Sequence, residues 1–326
     1  MARVFSGIQP TGDIHIGNYL GAVRNWVALQ DKHECIFCIV DLHAMTVPYD
    51  AKAMPRVVLE SAATLLACGI DPERSILYVQ SHVREHTELC WILNTITPLG
   101  QLERMTQFKD KARRHRDNVN AGLLNYPILM AADILLYKAE LIPVGEDQIQ
   151  HLELTRDLAR RFNNIFGPTF PEPEALLTKA ARVMALNDPT SKMSKSIPGS
   201  YIALHAEPDE IRAIVRKAVT DTGPQGGAMS PGVANLFTLL EAFSAPDVVA
   251  RFRELYDRGE LRYVDLKQQL AEDIVAALTP IRERRAALLA DEKRLRDILR
   301  EGAERARVIA REVMAEVREK TGLAFD

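Results

Sequence analysis

From Val4 to about Leu186, short apolar runs alternate with longer stretches of helical periodicity, and this alternation limits the fold more than any other feature. The runs at 4–5, 35–40, 76–79, 141–144 and 183–186 read as strands. Between them, 17–30, 52–68, 87–95, 121–137 and 147–166 read as helices. Strands that are apolar throughout, separated by helices, predict a parallel sheet covered on both faces. Such sheets bind ligands at the carboxyl ends of their strands. After residue 196 the strand signals stop. Stretches 207–220, 233–243, 247–258, 263–291 and 292–320 all read as helices, with Pro280 expected to end or kink the fourth. The expected division is an α/β unit over 1–196, a helical unit over 197–290 and a C-terminal helix over 291–326. That last helix carries Val308, Ile309, Val313 and Val317 at helical spacing and is expected to pack back on the first unit.

Composition narrows the function classes. Charged residues make up 26% and hydrophobic ones 47%, which is globular rather than disordered. A formal net charge of −3 excludes a protein that coats nucleic acid with its whole surface. No stretch reaches the roughly 20 apolar residues of a membrane helix; the most apolar one, 123–137, is broken by Asn125 and Asp133. The first residues lack the pattern of a secretory signal, and four cysteines fit a reducing cytoplasm. Cys35 and Cys38 form a CxxC. They lie in an apolar strand, where residues three apart face opposite ways, so no redox or metal role is expected.

Two segments carry the chemistry. Residues 5–22, FSGIQPTGDIHIGNYLGA, join a strand to a helix through a glycine-rich loop. Gln9, Thr11, His15 and Asn18 add side-chain donors there, and a helix N-terminus favours phosphate. The spacing is neither the dinucleotide fingerprint nor the P-loop. The second segment, SKMSKS at 191–196, offers Lys192 and Lys195 on a short loop, point charges suited to a polyphosphate.

HIGN at 15–18 resembles the first signature of class I aminoacyl-tRNA synthetases, and KMSKS at 192–196 is their second. With ERMTQFKDK (103–111), MAADILLY (130–137) and PVGEDQIQHLELTRD (143–157), the chain is similar to the tryptophanyl-tRNA synthetases. The likeness runs from Phe5 to at least Asp221 and is weaker beyond. It implies a Rossmann-type doubly wound parallel sheet as catalytic domain, with an all-helical anticodon-binding domain. It also implies a two-step reaction: ATP activates L-tryptophan to tryptophanyl-adenylate, which is then transferred to tRNA(Trp). ATP would come as its Mg²⁺ complex, with no tightly bound cofactor and no metal site in the protein. The family is homodimeric, and no membrane association is implied.

The resemblance also distributes roles. Gln9, Pro10, Thr11, Gly17, Asn18, Gly145, Glu146, Asp147 and Val183 would contact ATP, together with Met193, Ser194 and Ser196. Lys192, Lys195, Lys111, His15 and Gln9 would act on the reacting phosphates. Phe5, Tyr126, Met130, Val144 and Gln148 would shape the tryptophan site. Tyr126, Met130, Asp133 and Tyr137 share one helix face. A carboxylate in an apolar run is costly unless paired, and the residues alone leave Asp133 either a packing partner or an acceptor for an indole N–H. The family assigns it the second duty. Two positions depart from the usual signatures: Asn18 stands in the fourth signature place, and Ile197 follows KMSKS where aspartate is common. The alternatives are a tyrosyl-tRNA synthetase and a non-catalytic paralogue that binds tRNA or a regulatory partner. Locally the chain is basic: Arg104, Lys109, Lys111, Arg113, Arg114 and Arg116 cluster around one acid, Asp110, and Arg282, Arg284, Arg285, Lys293, Arg294 and Arg296 form a second run. Both are expected to follow a tRNA backbone.

Overall fold

A computed structural model describes residues 1–114, 119–145, 148–177, 183–193, 197, 199–221 and 229–324, without the side chains of Lys111 and Arg114. Five parallel strands, β1 (Arg3–Ile8), β2 (Glu34–Ile39), β3 (Ile76–Val79), β4 (Leu141–Val144) and β5 (Glu174–Leu177), form one sheet in the order β3-β2-β1-β4-β5. The chain builds outward from β1 to β3 and then returns to the other side of β1. The doubly wound topology is as expected, and its switch point lies between β1 and β4.

Alternate strand residues feed two separate cores. Val4, Cys35, Phe37, Ile39, Leu77 and Val79 enter one; Phe5, Ile36, Cys38, Ile76, Tyr78 and Ile142 enter the other. Cys35 and Cys38 therefore face opposite sides of the sheet. Burial pushes both thiols up, Cys35 to about 11, so neither is ionised near neutral pH. The first core is covered by α2 (Arg24–Leu29), α4 (Met54–Ala67) and the helices α10 (Pro208–Arg216), α11 (Pro231–Phe243), α12 (Pro246–Asp257) and α13 (Tyr263–Ala290). The second is covered by α5 (Glu85–Thr95), α8 (Ala121–Leu135) and α9 (Ile149–Phe166).

The last helix, α14 (Glu292–Thr321), serves both cores. Leu295 and Leu299 join the first, while Ala303, Ala306, Ala310, Val313, Met314 and Val317 join the second. The helix thus crosses the outer edge of β3, a row of backbone groups that would otherwise be open to pairing. Gly302 marks the crossing: a Cβ there would stand 1.9 Å from the Leu77 carbonyl oxygen. Arg305 Nη1 donates to the carbonyls of Pro72 and Ser75 at 2.7 and 3.0 Å. Arg307 caps the His82 carbonyl on the far side of the strand, and Arg318 meets Glu88 of α5 through two nitrogens. Of the four apolar positions expected to pack back, Val313 and Val317 are buried and Ile309 is partly so, whereas Val308 faces solvent.

Two expectations need correction. The segment 183–186 is not a sheet strand. Val183 and Leu186 are buried in the first core, while its backbone pairs with the loop that follows, through a Met184–Lys192 antiparallel bridge and an Ala185 N–H to Ser191 carbonyl bond of 2.8 Å. The true fifth strand, EALL, is a half-exposed edge strand without the continuous apolar run of a central one. Of the two outcomes expected at Pro280, an end to the helix does not occur: α13 continues through it, with Leu278 and Ile281 on both sides buried in the same core.

Alanine normally stabilises a helix interior by about 1 kcal/mol over glycine. At Gly302 the clash reverses the sign. Gly302→Ala is expected to destabilise by about 1–3 kcal/mol, read as a lower urea midpoint at unchanged slope.

Candidate active site

The two signature segments are far apart in sequence and adjacent in space. Ile16 donates its N–H to the Ile202 carbonyl at 3.0 Å, and Leu204 donates to the Ile14 carbonyl at 2.9 Å. His15 and Ala203 form the antiparallel bridge between them. The chain leaving the lysine loop is thereby stitched to the first signature. Met193 is buried next to it, its Sδ 3.5 Å from where a Gly17 Cβ would be. Lys192 is exposed beside Met193.

The helix that opens at α1 (Ile16–Asn18) continues as a π-helical turn (Tyr19–Val23) into α2. His15 and Asn18 cap it reciprocally: the Asn18 N–H donates to His15 Nδ1 at 3.3 Å, and the His15 N–H donates to Asn18 Oδ1 at 3.2 Å. The imidazole, tilted against Tyr201, is buried rather than open. Gln9, Pro10 and Thr11 leave the carboxyl end of β1, with the Thr11 N–H turned back to the Gln9 carbonyl at 2.9 Å. Gly145 leaves the carboxyl end of β4, and Gln148 stands before the first turn of α9. These residues flank the topological switch point. Glu146, Asp147, Ser194, Lys195 and Ser196 lie outside the described residues, as does the Lys111 side chain.

Beneath the switch point, on the second core's side, Asp133 is almost fully buried on α8. Burial alone would raise its carboxyl. The imidazoles of His86 and His43 and their hydrogen bonds outweigh that and hold it below the ordinary aspartate range. Its Oδ1 receives Gln80 Nε2 at 2.6 Å and His86 Nδ1 at 2.6 Å; its Oδ2 meets His43 Nε2 at 2.8 Å. The other side of the His86 ring, Nε2, meets the hydroxyls of Tyr78 at 2.8 Å and Tyr137 at 2.9 Å. The Gln80 amide oxygen is buried with no partner among the described residues.

Of the remaining expected residues, Phe5 stacks on Tyr137 at 5.6 Å, and Tyr126 sets its ring edge-on to His43 at 6.3 Å. The Tyr126 hydroxyl meets His151 Nε2 at 3.0 Å, and burial pushes its pKa up to about 12. Met130 is half-buried against the same core, and Val144 ends β4. Val183 lies in the first core, on the segment that leads to the lysine loop. The structure therefore joins Tyr126 and Asp133 at His43, while Phe5 meets the same network through Tyr137. His43, Gln80, His86, Tyr78 and His151 were missed. Two carried a readable signal: Gln80 directly follows β3, and His43 lies in α3 (Asp41–Ala44) just beyond β2, both at carboxyl strand ends. His86, a lone histidine within α5, carried none.

The second basic run is not a continuous track. Arg282 reaches inward to the Ala206 carbonyl at 3.3 Å, and Arg285 donates to Thr64 Oγ1 at 3.0 Å, so both pin α13 to its neighbours. Arg284, Lys293, Arg294 and Arg296 stay exposed, the last paired with Glu292. In the first run Arg104, Lys109 and Arg113 are exposed on or beside α7 (Thr106–Arg114), while Arg116 lies outside the described residues.

The family model for tRNA synthetases class I (W and Y) matches residues 1–279. The chain belongs to that family. It is 49% identical to a tryptophan–tRNA ligase of Caldanaerobacter subterraneus subsp. tengcongensis, over 99% of each chain. A second, from Wolinella succinogenes, is 48% identical over 98% of each. Among solved structures, the tryptophanyl-tRNA synthetase of Campylobacter jejuni, complexed with ADP and tryptophan, superposes with a TM-score of 0.87 at 37% identity, over 98% of this chain and 99% of that one.

The depressed Asp133 carboxyl links stability to pH. A folded pKa below the unfolded one contributes stability that is present above about pH 4 and is lost as pH falls through the folded value. In urea unfolding the wild type should be more stable than Asp133→Asn at pH 5. The gap should then shrink below about pH 4.

Proposed function

We propose that the residues gathered around the carboxyl ends of β1 and β4 carry tryptophan–tRNA ligation in this chain. The activity follows from the family and from full-length likeness to curated ligases. L-tryptophan is activated by ATP to tryptophanyl-adenylate and pyrophosphate, and the aminoacyl group then passes to the 3′-terminal ribose of tRNA(Trp). The observation that carries the assignment of residues is the stitching of 14–16 to 202–204, which supports one site made from both signatures.

Gln9, Pro10, Thr11, Gly17 and Asn18 approach the nucleotide from the β1 side, and Gly145, Glu146 and Asp147 from the β4 side. A carboxylate at that second turn accepts ribose hydroxyls. His15 shapes the helix start by its reciprocal cap, which leaves N–H groups directed at phosphate. Val183, Met193, Ser194 and Ser196 complete the adenosine end. Lys192, Lys195 and Lys111 neutralise charge that builds on the leaving pyrophosphate, and such interactions lower the barrier rather than tighten the ground state. Mg²⁺ arrives on the ATP phosphates and adds to that neutralisation. No enzyme nucleophile is required, since the tryptophan carboxylate attacks the α-phosphorus.

Asp133 accepts the indole N–H, with Phe5, Tyr126, Met130 and Val144 around the ring and Gln148 at the amino-acid head. A carboxylate oxygen accepts two hydrogen bonds. Among the described residues Oδ1 holds two and Oδ2 one, which leaves a single acceptor position for the single ring donor of tryptophan. Phenylalanine would leave that position unpaired and should be rejected strongly.

The remaining parts are assigned by family likeness and surface chemistry. Residues 1–196 serve as the catalytic domain, 197–290 as the anticodon-binding domain and 291–326 as a helix returned to the first. A homodimer is assigned by family likeness, and α6 (Leu99–Glu103) precedes the basic helix α7. Arg104, Lys109 and Arg113 offer a short phosphate track. No helix of the described residues is long and apolar enough to cross a membrane, and the enzyme is assigned to the cytoplasm.

ATP–pyrophosphate exchange tests the reading. Exchange should depend on tryptophan and not on tyrosine or phenylalanine; tyrosine-driven exchange would refute it. Asp133→Asn should raise the tryptophan KM at least about tenfold. Lys192→Ala and Lys195→Ala should lower kcat by about 10²–10³ with little change in the tryptophan KM. A defect confined to the ATP KM would contradict the role given to the lysines.

A further inference from the structure

Asp133 is one end of a longer buried chain. From Oδ1 the contacts run to His86 Nδ1, then from His86 Nε2 to the hydroxyls of Tyr78 and Tyr137. Every member is buried, and Tyr78, Tyr137 and His86 have essentially no exposure. Three elements contribute: Tyr78 comes from β3, His86 from α5, and Asp133 and Tyr137 from α8 and the turn that ends it. No step of the reaction uses the three outer groups, and burying such polar side chains is costly unless they are hydrogen-bonded.

The chain has a direction. An ionised carboxylate only accepts, so His86 Nδ1 must carry a hydrogen. Its other nitrogen is then free to accept from a tyrosine hydroxyl, and two hydroxyls are supplied. Were the hydroxyls absent, the ring could place its hydrogen on Nε2 and turn a lone pair towards Asp133. Gln80 reinforces the arrangement on the same oxygen. Its amide cannot turn over, because its oxygen would then face Asp133 Oδ1 at the 2.6 Å now spanned by a donor. Two donors are thereby fixed on Oδ1, and the open acceptor position falls on Oδ2.

We propose that His86, with its proton held on Nδ1 by Tyr78 and Tyr137, is a positioning residue for tryptophan selection: it fixes which oxygen of Asp133 is left for the indole N–H. This rests on the reading of Asp133 as the indole acceptor. His86 does not touch substrate; it acts through the carboxylate.

The experiment compares exchange driven by tryptophan with exchange driven by β-(benzothien-3-yl)alanine, which has the same shape but sulfur in place of the ring N–H. The wild type should prefer tryptophan by at least about tenfold in kcat/KM. In Asp133→Asn, the two donors on the Oδ1 side hold the amide oxygen there. The NH₂ then faces the indole N–H, and the preference should collapse to within about threefold. Loss of the preference in Asp133→Asn together with its retention in the positioning variants would overturn the role of His86 alone. Retention in Asp133→Asn would overturn the indole reading itself.

The positioning variants are Tyr78→Phe with Tyr137→Phe, which removes both hydroxyls and keeps the rings, and His86→Leu. In both, the preference should fall at least about fivefold through a rise in the tryptophan KM, with the kcat for benzothienylalanine little changed. His86→Asn, whose amide nitrogen can stand where Nδ1 stood, should recover most of the preference. If His86→Leu does not fold, the double phenylalanine variant decides the matter. A merely structural role would lower both substrates' kcat/KM together, and that outcome would overturn the proposal.

Discussion

Five parallel strands leave two faces and two edges that water must not reach unpaired, and meeting that demand shapes most of this chain. Helices between the strands cover part of both faces. The rest comes from the C-terminal half, where α13 lies on α4 and α14 passes around β3 from one core to the other. Because Gly302 and the alanines after it let the helix axis come close, β3 is closed off without another strand. The C-terminal helices are therefore part of the sheet's own packing, and the first core is continuous from Val4 to Leu299.

That packing fixes the strand ends, and the strand ends fix the site. The residues assigned to the nucleotide leave β1 and β4 at the switch point, and the chain that leaves the lysine loop is held there by backbone bonds between 14–16 and 202–204. Asp133 is presented from α8 beneath them. A lone buried carboxylate would favour its neutral form. Two imidazoles reverse that preference, so the pocket keeps a negatively charged acceptor in a buried place. An acceptor of this kind penalises side chains without a matching donor far more than a methyl-lined slot could.

The sequence made the alternation, the facing of Cys35 and Cys38 and the grouping of Tyr126, Asp133 and Tyr137 readable, because burial and periodicity act locally. It misled where burial had another cause. Residues 183–186 look like a core strand because Val183 and Leu186 are buried in the first core without joining the sheet, and EALL does not look like a strand because it lies at an edge. Arg282 and Arg285 count as surface charge in any tally, yet they fasten α13 to Thr64 and Ala206. The partners of Asp133 come from positions 43, 80 and 86 on three separate elements. Only the fold brings them together, and a single histidine in α5 has no local pattern to betray it.

The account stands on one hydrogen bond from tryptophan to one oxygen of a clamped carboxylate. A structure of this protein with tryptophan bound tests it most directly. The indole nitrogen should lie about 3 Å from Asp133 Oδ2, with Gln80 and His86 still on Oδ1. An indole nitrogen directed elsewhere, or an Asp133 released from His86 to meet it, would contradict the account.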